Sequence, residues 1–192
     1  MDLRPGDIGF GPIGGLVGFG VGCGQVLLGD DSRYRHVLVV TSAGEAGSEG
    51  GRTWSTPPMG VEAMPSGARK VPLLDRWDSG WVYVRLEDYP EEVRHQVALH
   101  ALAMVDTPYG FSDYAALTGK RFGIESKLLN NWISREDERG YPKRAICSQL
   151  ADAALTRAGI QVFNDGRLSQ DVIPGALFHQ MLRLGGRLLW PV

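Results

Sequence analysis

The sequence predicts an α+β fold, and three observations lead there. Short β-branched and glycine-bounded runs fill the first half of the chain, and helical periodicity takes over after Pro90. No internal repeat and no long linker divides the 192 residues. With 43% hydrophobic content and a formal net charge of -2, the chain suits one domain, 1–192, with a proper core. That near-neutral charge gives no electrostatic reason to expect nucleic acid or an anionic membrane as partner.

Taken in order, "PGDIGF" reads as a turn at Pro5-Gly6 feeding a strand. The stretch from Ile8 to Gly29 carries no charge and is long enough to span a bilayer. Its glycines and Pro12 argue against a regular helix, and its flanks, Asp7, Asp30 and Asp31, are acidic rather than basic. It reads instead as a buried, glycine-flexed segment, with a short helix between Gly14 and Leu28. "YRHVLVV", Tyr34 to Val40, is a β-branched run suited to a strand buried on both faces. The segment Thr41 to Thr53 is small, polar and glycine-rich, and reads as a mobile loop. "MGVEAM" and "GWVYVRL" are two further strands.

From Pro90, "PEEVRHQVALHALAMV" opens on Pro and two Glu and carries Val93, Val97, Leu102 and Val105, which predicts a helix. "TPYGFSDYAAL" is a turn followed by a short helix capped by Ser112 or Asp113, and "ESKLLNNWISRE" is helical. "RAICSQLADAALTRAG" forms a helix starting near Ile146, burying Leu150, Ala154 and Ala158 on one face and ending at Gly159. A last helix runs from about Val172 to Leu184.

Two cysteines, Cys23 and Cys147, form no C-x-x-C and no disulfide framework, which suits a reduced compartment. Cys147 stands at the predicted helix start, where the positive end of the helix and a nearby imidazolium would favour a thiolate. Lys143 and Arg144 add positive potential. Local features leave two readings open, a reactive thiol or a small apolar filler. A general base must come from elsewhere. His36 sits in an otherwise apolar strand, where a buried imidazole needs a partner; a thiolate or a backbone group would serve. Glu62, flanked by Val61 and Ala63, can orient that imidazole if its strand pairs beside that of His36, or else lies exposed at an edge.

The remaining candidates are weaker. His95 and His100 share a helix at i, i+5, which does not put them on one face, so they are not a metal pair. His179 is explained by packing or exposure on the last helix, and Glu45 and Glu49 by solvation in the glycine-rich loop. Cys23 reads as a packed small residue. Tyr109 is a turn-packing residue or a hydroxyl donor to the cleft, and Gln25 a buried amide or an oxyanion donor.

Five pieces, in order, resemble the permuted NlpC-type papain-like hydrolases, which include YiiX-like proteins and, more distantly, the lecithin:retinol acyltransferase group. They are "LRPGDIGF", "SRYRHVLVV", "GVEAMPSGARKVPL", "TPYGFSDY" and "AICSQLADAALTRAG", reaching from Leu3 to about Pro174. In this family the histidine precedes the cysteine, as His36 precedes Cys147 here. The resemblance implies a papain-like, circularly permuted fold, a small antiparallel sheet packed against helices. It assigns Cys147 as nucleophile, His36 as base and then acid, Glu62 as orienting group, and the Cys147 N–H as an oxyanion donor. The sequence departs from relatives at Arg35 and Leu38 around the histidine, and at Gln149, where an acidic residue is common.

The expected activity is therefore a cysteine peptidase or amidase working through a thioester on a small amide or peptide, such as a bacterial cell-wall peptide. No cofactor or metal is implied. The same triad would also serve a thioesterase or lipid acyltransferase, favoured if the uncharged 8–29 segment touches lipid, and the fold without catalysis would be a binding module. "MDLRPGDIGF" lacks the pattern of a secretory signal. The expectation is a cytoplasmic protein, or one of bacterial or phage origin exported without a signal peptide.

Overall fold

The first-half runs pair into a six-stranded antiparallel sheet, and the second-half helices cover one of its faces. The computed structural model of the chain describes residues 2–12, 33–49, 52–73, 80–110, 136–166 and 169–189. The expected helices within 14–28 and 111–135 lie outside the described residues, as do Cys23, Gln25, Ser112 and Asp113.

The strands are β1 (Ile8–Gly11), β2 (His36–Ser42), β3 (Glu45–Glu49), β4 (Arg52–Thr56), β5 (Met59–Met64), β6 (Gly67–Pro72), β7 (Val82–Arg85) and β8 (Arg187–Leu189). The helices are α1 (Glu91–Ala103), α2 (Cys147–Arg157) and α3 (Pro174–Arg183). The sheet order is β6-β5-β2-β1-β7-β8, which makes β2 and β1 the central pair. Val37 to Val40 are fully buried, as a strand covered on both faces requires.

Alternation sorts the two faces. Ile8, Phe10, Val37, Val39, Val61, Val82 and Val84 join Val97, Ala101, Leu150, Ala154 and Leu177 of the helices in one core. Leu38, Val40, Val71, Leu73, Trp81 and Tyr83 form a second cluster with Leu3. Gly9 and Gly11 sit on that second side of β1. A Cβ at Gly11 would run into the Trp81 indole, and one at Gly9 would crowd Tyr83 and Leu38. Glycine in this strand therefore marks the close approach of aromatic rings.

Helix α2 differs from the amphipathic expectation. Every residue from Cys147 to Leu155 is buried, whereas Ala158, placed on the buried face by the sequence, is the half-exposed C-cap. The small side chains of Ala151, Ala153 and Ala154 let neighbours close in, so that even the polar stripe of the helix, Ser148, Gln149 and Asp152, is buried. Gly159 follows the cap at φ 84, the left-handed geometry expected of it.

The expected loop over 41–53 is also corrected. β2 continues to Ser42, and β3 and β4 pair as a two-stranded ribbon from Glu45↔Thr56 to Glu49↔Arg52. Gly50-Gly51, which stands in sequence between the two strands, is a hairpin signal. β6 and β8 were not expected as strands. β6 is an edge strand whose Arg69 and Lys70 are exposed, a charged composition typical of edges.

A buried ion pair ties the start of the chain to β7. Arg85 donates from Nε to Asp7 Oδ1 at 2.8 Å and from Nη2 to Asp7 Oδ2 at 2.7 Å, and also bonds the Asp2 carbonyl. The Arg4 N–H donates to Asp7 Oδ2 at 2.8 Å. Burial pushes the Asp7 carboxyl up, while the bonds from Arg85 and from the Arg4 backbone oppose that shift. Removing one partner would strand the other charge in the core. Arg85→Met is expected to lower unfolding free energy by about 3 to 5 kcal/mol in urea titrations. A loss below about 1 kcal/mol, the range of exposed pairs, would contradict this account of the pair.

Candidate active site

The site assembles where β2 and α2 begin. His36 opens β2, and β5 lies beside it with Leu38 opposite Glu62. His36 and Glu62 are thus diagonal neighbours on one face of the sheet, within reach of long side chains. His36 Nε2 and Glu62 Oε2 are 2.7 Å apart, with both side chains buried. The condition set by the sequence, that the two strands be adjacent, is met, and Glu62 is fully buried rather than edge-exposed.

Cys147 is the first residue of α2, with Ile146 as N-cap. The His36 ring lies close enough to the Cys147 side chain for the sulfur to act on its titration, as the Glu62 carboxylate also does. With Nε2 engaged by the carboxylate, Nδ1 is the ring nitrogen left for a second partner. An ionised carboxylate only accepts, so Nε2 carries its proton and donates it to Glu62. Cys147 is 4% exposed and His36 2%, so the contact lies almost entirely out of water.

Burial alone would lower the pKa of His36. The negative charge of Cys147 and its hydrogen bond, followed by the hydrogen bond and charge of Glu62, more than reverse this and raise it from 6.5 to about 9. The consequence for stability has a definite sign. Protonation of His36 contributes its full stabilisation below 6.5, and that contribution is lost as pH rises through about 9.

Other contacts hold these groups in place. Gln149 Oε1 accepts the Ile146 N–H at 3.0 Å, which is the N3-to-N-cap half of a capping box. This is the local job of Gln149, a residue at which the sequence departs from the family it resembles. Ser148 Oγ donates to the Val172 carbonyl at 2.7 Å. Trp81 meets the His36 ring edge to face, with centroids 5.8 Å apart. The approach to Cys147 is pinned as well: Ala145 N–H donates to the Pro108 carbonyl at 3.1 Å, and Tyr109 bridges to Ala145. Tyr109 is half-buried against the core, in keeping with a turn-packing role.

Sequence reasoning missed two features. His100 is not simply a surface residue, because its Nδ1 is hydrogen-bonded to Tyr141 Oη at 2.8 Å, while the Arg157 guanidinium lies 4.2 Å from the Tyr141 ring centroid. These contacts clamp the segment that leads into Cys147. The second is Arg69, which donates to Glu62 Oε1 from Nε at 3.1 Å and from Nη2 at 2.9 Å. A turn at Pro65-Ser66 places Glu62 opposite Arg69 by simple counting, so the pair was legible once β6 was read as a strand. His95 and His179 are exposed, and Lys143 and Arg144 face solvent. Glu45 is exposed on β3 rather than in a loop.

The described residues thus define an α+β protein with a buried His36–Glu62 pair near Cys147, which opens a helix. No protein family is matched by the sequence, and no curated protein matches it. In structure the chain is similar to the metalloprotein yiiX from Escherichia coli O157:H7, DUF1105, with a TM-score of 0.54 and 19% identity over 84% of this chain and 70% of that one. At that identity the likeness is one of fold, and it agrees with the YiiX-like part of the resemblance. Among the described residues, no helix is long and apolar enough to cross a membrane.

The charge balance at His36 is directly measurable. Its ring resonances should titrate near pH 9 in the intact protein, and the midpoint should fall in Cys147→Ala, where the negative partner is gone. A wild-type midpoint close to 6.5 that Cys147→Ala leaves unmoved would show that sulfur and ring do not interact.

Proposed function

We propose that this protein is a cysteine hydrolase of the permuted papain-like type that cleaves amide bonds, with Cys147, His36 and Glu62 as its triad. The observation that carries this reading is the buried His36–Glu62 pair, acted on by the sulfur of Cys147, the first residue of a helix. A core histidine needs one satisfied partner. This one has a carboxylate on Nε2 and its other nitrogen left over with a thiol nearby, two groups of opposite chemical use.

The thiol proton passes to His36, and the sulfur attacks the substrate carbonyl carbon. The carbonyl π electrons move to oxygen, giving a tetrahedral oxyanion. Ile146 has no side-chain acceptor to spend on the first-turn N–H groups, and no acidic residue stands in that turn. The helix end therefore keeps its positive potential for the oxyanion, with the Cys147 N–H as a donor. Collapse of the intermediate breaks the C–N bond, and the imidazolium gives its proton to the leaving amine. Water, losing a proton to His36, then attacks the thioester and releases the acid and the thiol.

The substrate class favoured by the resemblance is a bacterial cell-wall peptide or a related small amide. An acyl acceptor other than water would make the same chemistry an acyl transfer. The description of yiiX as a metalloprotein belongs to that protein. Among the described residues of this chain, no three His, Cys, Asp or Glu side chains group to hold a metal ion. His36 Nε2 is already bonded to the Glu62 carboxylate, so these two side chains meet each other rather than converging on one point as ligands do. No step above passes through a metal.

Turnover is tested by amine release from simple dipeptide amides and purified peptidoglycan fragments, with a fatty-acyl thioester assayed in parallel. Cys147→Ala should abolish hydrolysis, a loss of at least about 10^4-fold, while unfolding with the wild type, since Ala suits a helix. Glu62→Gln should cost less than His36→Ala. Activity surviving in Cys147→Ala would refute the proposal, and turnover confined to the thioester would move it to acyl transfer.

A further inference from the structure

We infer that Arg69 is a positioning residue of the triad, holding Glu62 ionised and dividing its two oxygens so that one is kept for His36. This deepens the hydrolase reading and rests on it.

The geometry is specific. Both Arg69 donors, Nε and Nη2, go to the same oxygen, Glu62 Oε1, and Oε2 is left to His36. An arginine that merely neutralised a carboxylate would fork across both oxygens, as Arg85 does on Asp7 in this same protein. The register enforces the division. Glu62 and Arg69 are direct partners on β5 and β6, whereas His36 approaches diagonally from β2, so the carboxylate is gripped from two strands at once.

The need for such a grip follows from burial. Glu62 is fully buried, and a carboxylate out of water takes up a proton unless an opposite charge holds it ionised. A protonated Glu62 would no longer offer the imidazolium a negative partner. It could instead donate to Nε2, which would leave the ring in the tautomer whose Nδ1 cannot accept the thiol proton. His36 cannot be the lasting counter-charge, because it gives up its proton in each catalytic cycle. Arg69 keeps its charge throughout. The Arg69 side chain is half exposed, which suits a residue at an edge strand that carries a permanent charge over a buried partner. Among the described residues, His36 is faced by Cys147 from α2 and by Glu62 from β5, and the partners of Glu62 include His36 from β2 and Arg69 from β6.

Two readouts test this without a natural substrate. In protein carrying 13C-labelled glutamate, the Glu62 carboxyl resonance, assigned by its loss in Glu62→Gln, is followed against pH. Arg69→Met should raise its midpoint by about 1 to 3 pH units, and Arg69→Lys should restore most of the shift. The rate at which iodoacetamide alkylates Cys147 near pH 6 should fall about 10-fold or more in Arg69→Met. In a Glu62→Gln background the same substitution should change that rate by less than about 2-fold, because the effect runs through the carboxylate. A merely structural arginine would give additive losses and an unmoved carboxyl titration, and either result overturns the inference. If wild-type Cys147 reacts no faster than a free cysteine, the hydrolase reading falls and this inference with it. If it reacts fast and Arg69→Met matches it, only the inference falls.

Discussion

The organising constraint in this molecule is the seat of one imidazole. His36 is held out of water between two groups that carry negative charge when ionised, and the interior must make an imidazolium there cheaper than a neutral ring. Desolvation pulls the other way, so the balance is kept only while the thiol and the carboxylate stay within hydrogen-bond reach. Most of the described architecture can be understood as fixing those two contacts.

The central position of β2 serves that end. Pairing with β5 on one side delivers Glu62, and pairing with β1 on the other places Gly11 beside His36, where a side chain would displace Trp81 from its place against the ring. Helix α2 is buried along nearly its whole length, so the sulfur at its first residue cannot drift by rotation of the helix. A helix sealed in this way has no polar face to anchor it from solvent. Its start is instead fixed by Gln149 on Ile146, Ser148 on Val172 and the clamp of Tyr141 by His100 and Arg157. At the other side of the sheet the Asp7–Arg85 pair locks the entry to β1 against β7. The strand next to the imidazole is thereby tied down from both directions.

Much of this was legible in the residues. An apolar run headed by His36, a single carboxylate in a short strand and a helix start marked by Cys147 picked out the buried His36–Glu62 pair and the residue that opens α2. Composition failed where local chemistry is ambiguous. The 41–53 stretch is rich in glycine and small polar residues, a composition that a two-stranded ribbon carries as readily as an unpaired loop. β6 was passed over because Arg69 and Lys70 break the apolar alternation, although an edge strand tolerates charge. Missing that strand meant missing Arg69. The complete burial of α2 was hidden because alanines give a weak amphipathic signal in any direction. The His100–Tyr141 contact joins residues 41 apart in sequence and leaves no local trace.

The account depends on proton transfer between the Cys147 sulfur and the His36 ring. The most direct test is the pH dependence of Cys147 alkylation by iodoacetamide in the wild type and in His36→Ala. A coupled pair predicts fast reaction near pH 6 in the wild type and a loss of about 10-fold or more when the imidazole is removed. Matching rates in the two proteins across the whole pH range would mean that Cys147 is an ordinary buried thiol, and the catalytic account would be wrong.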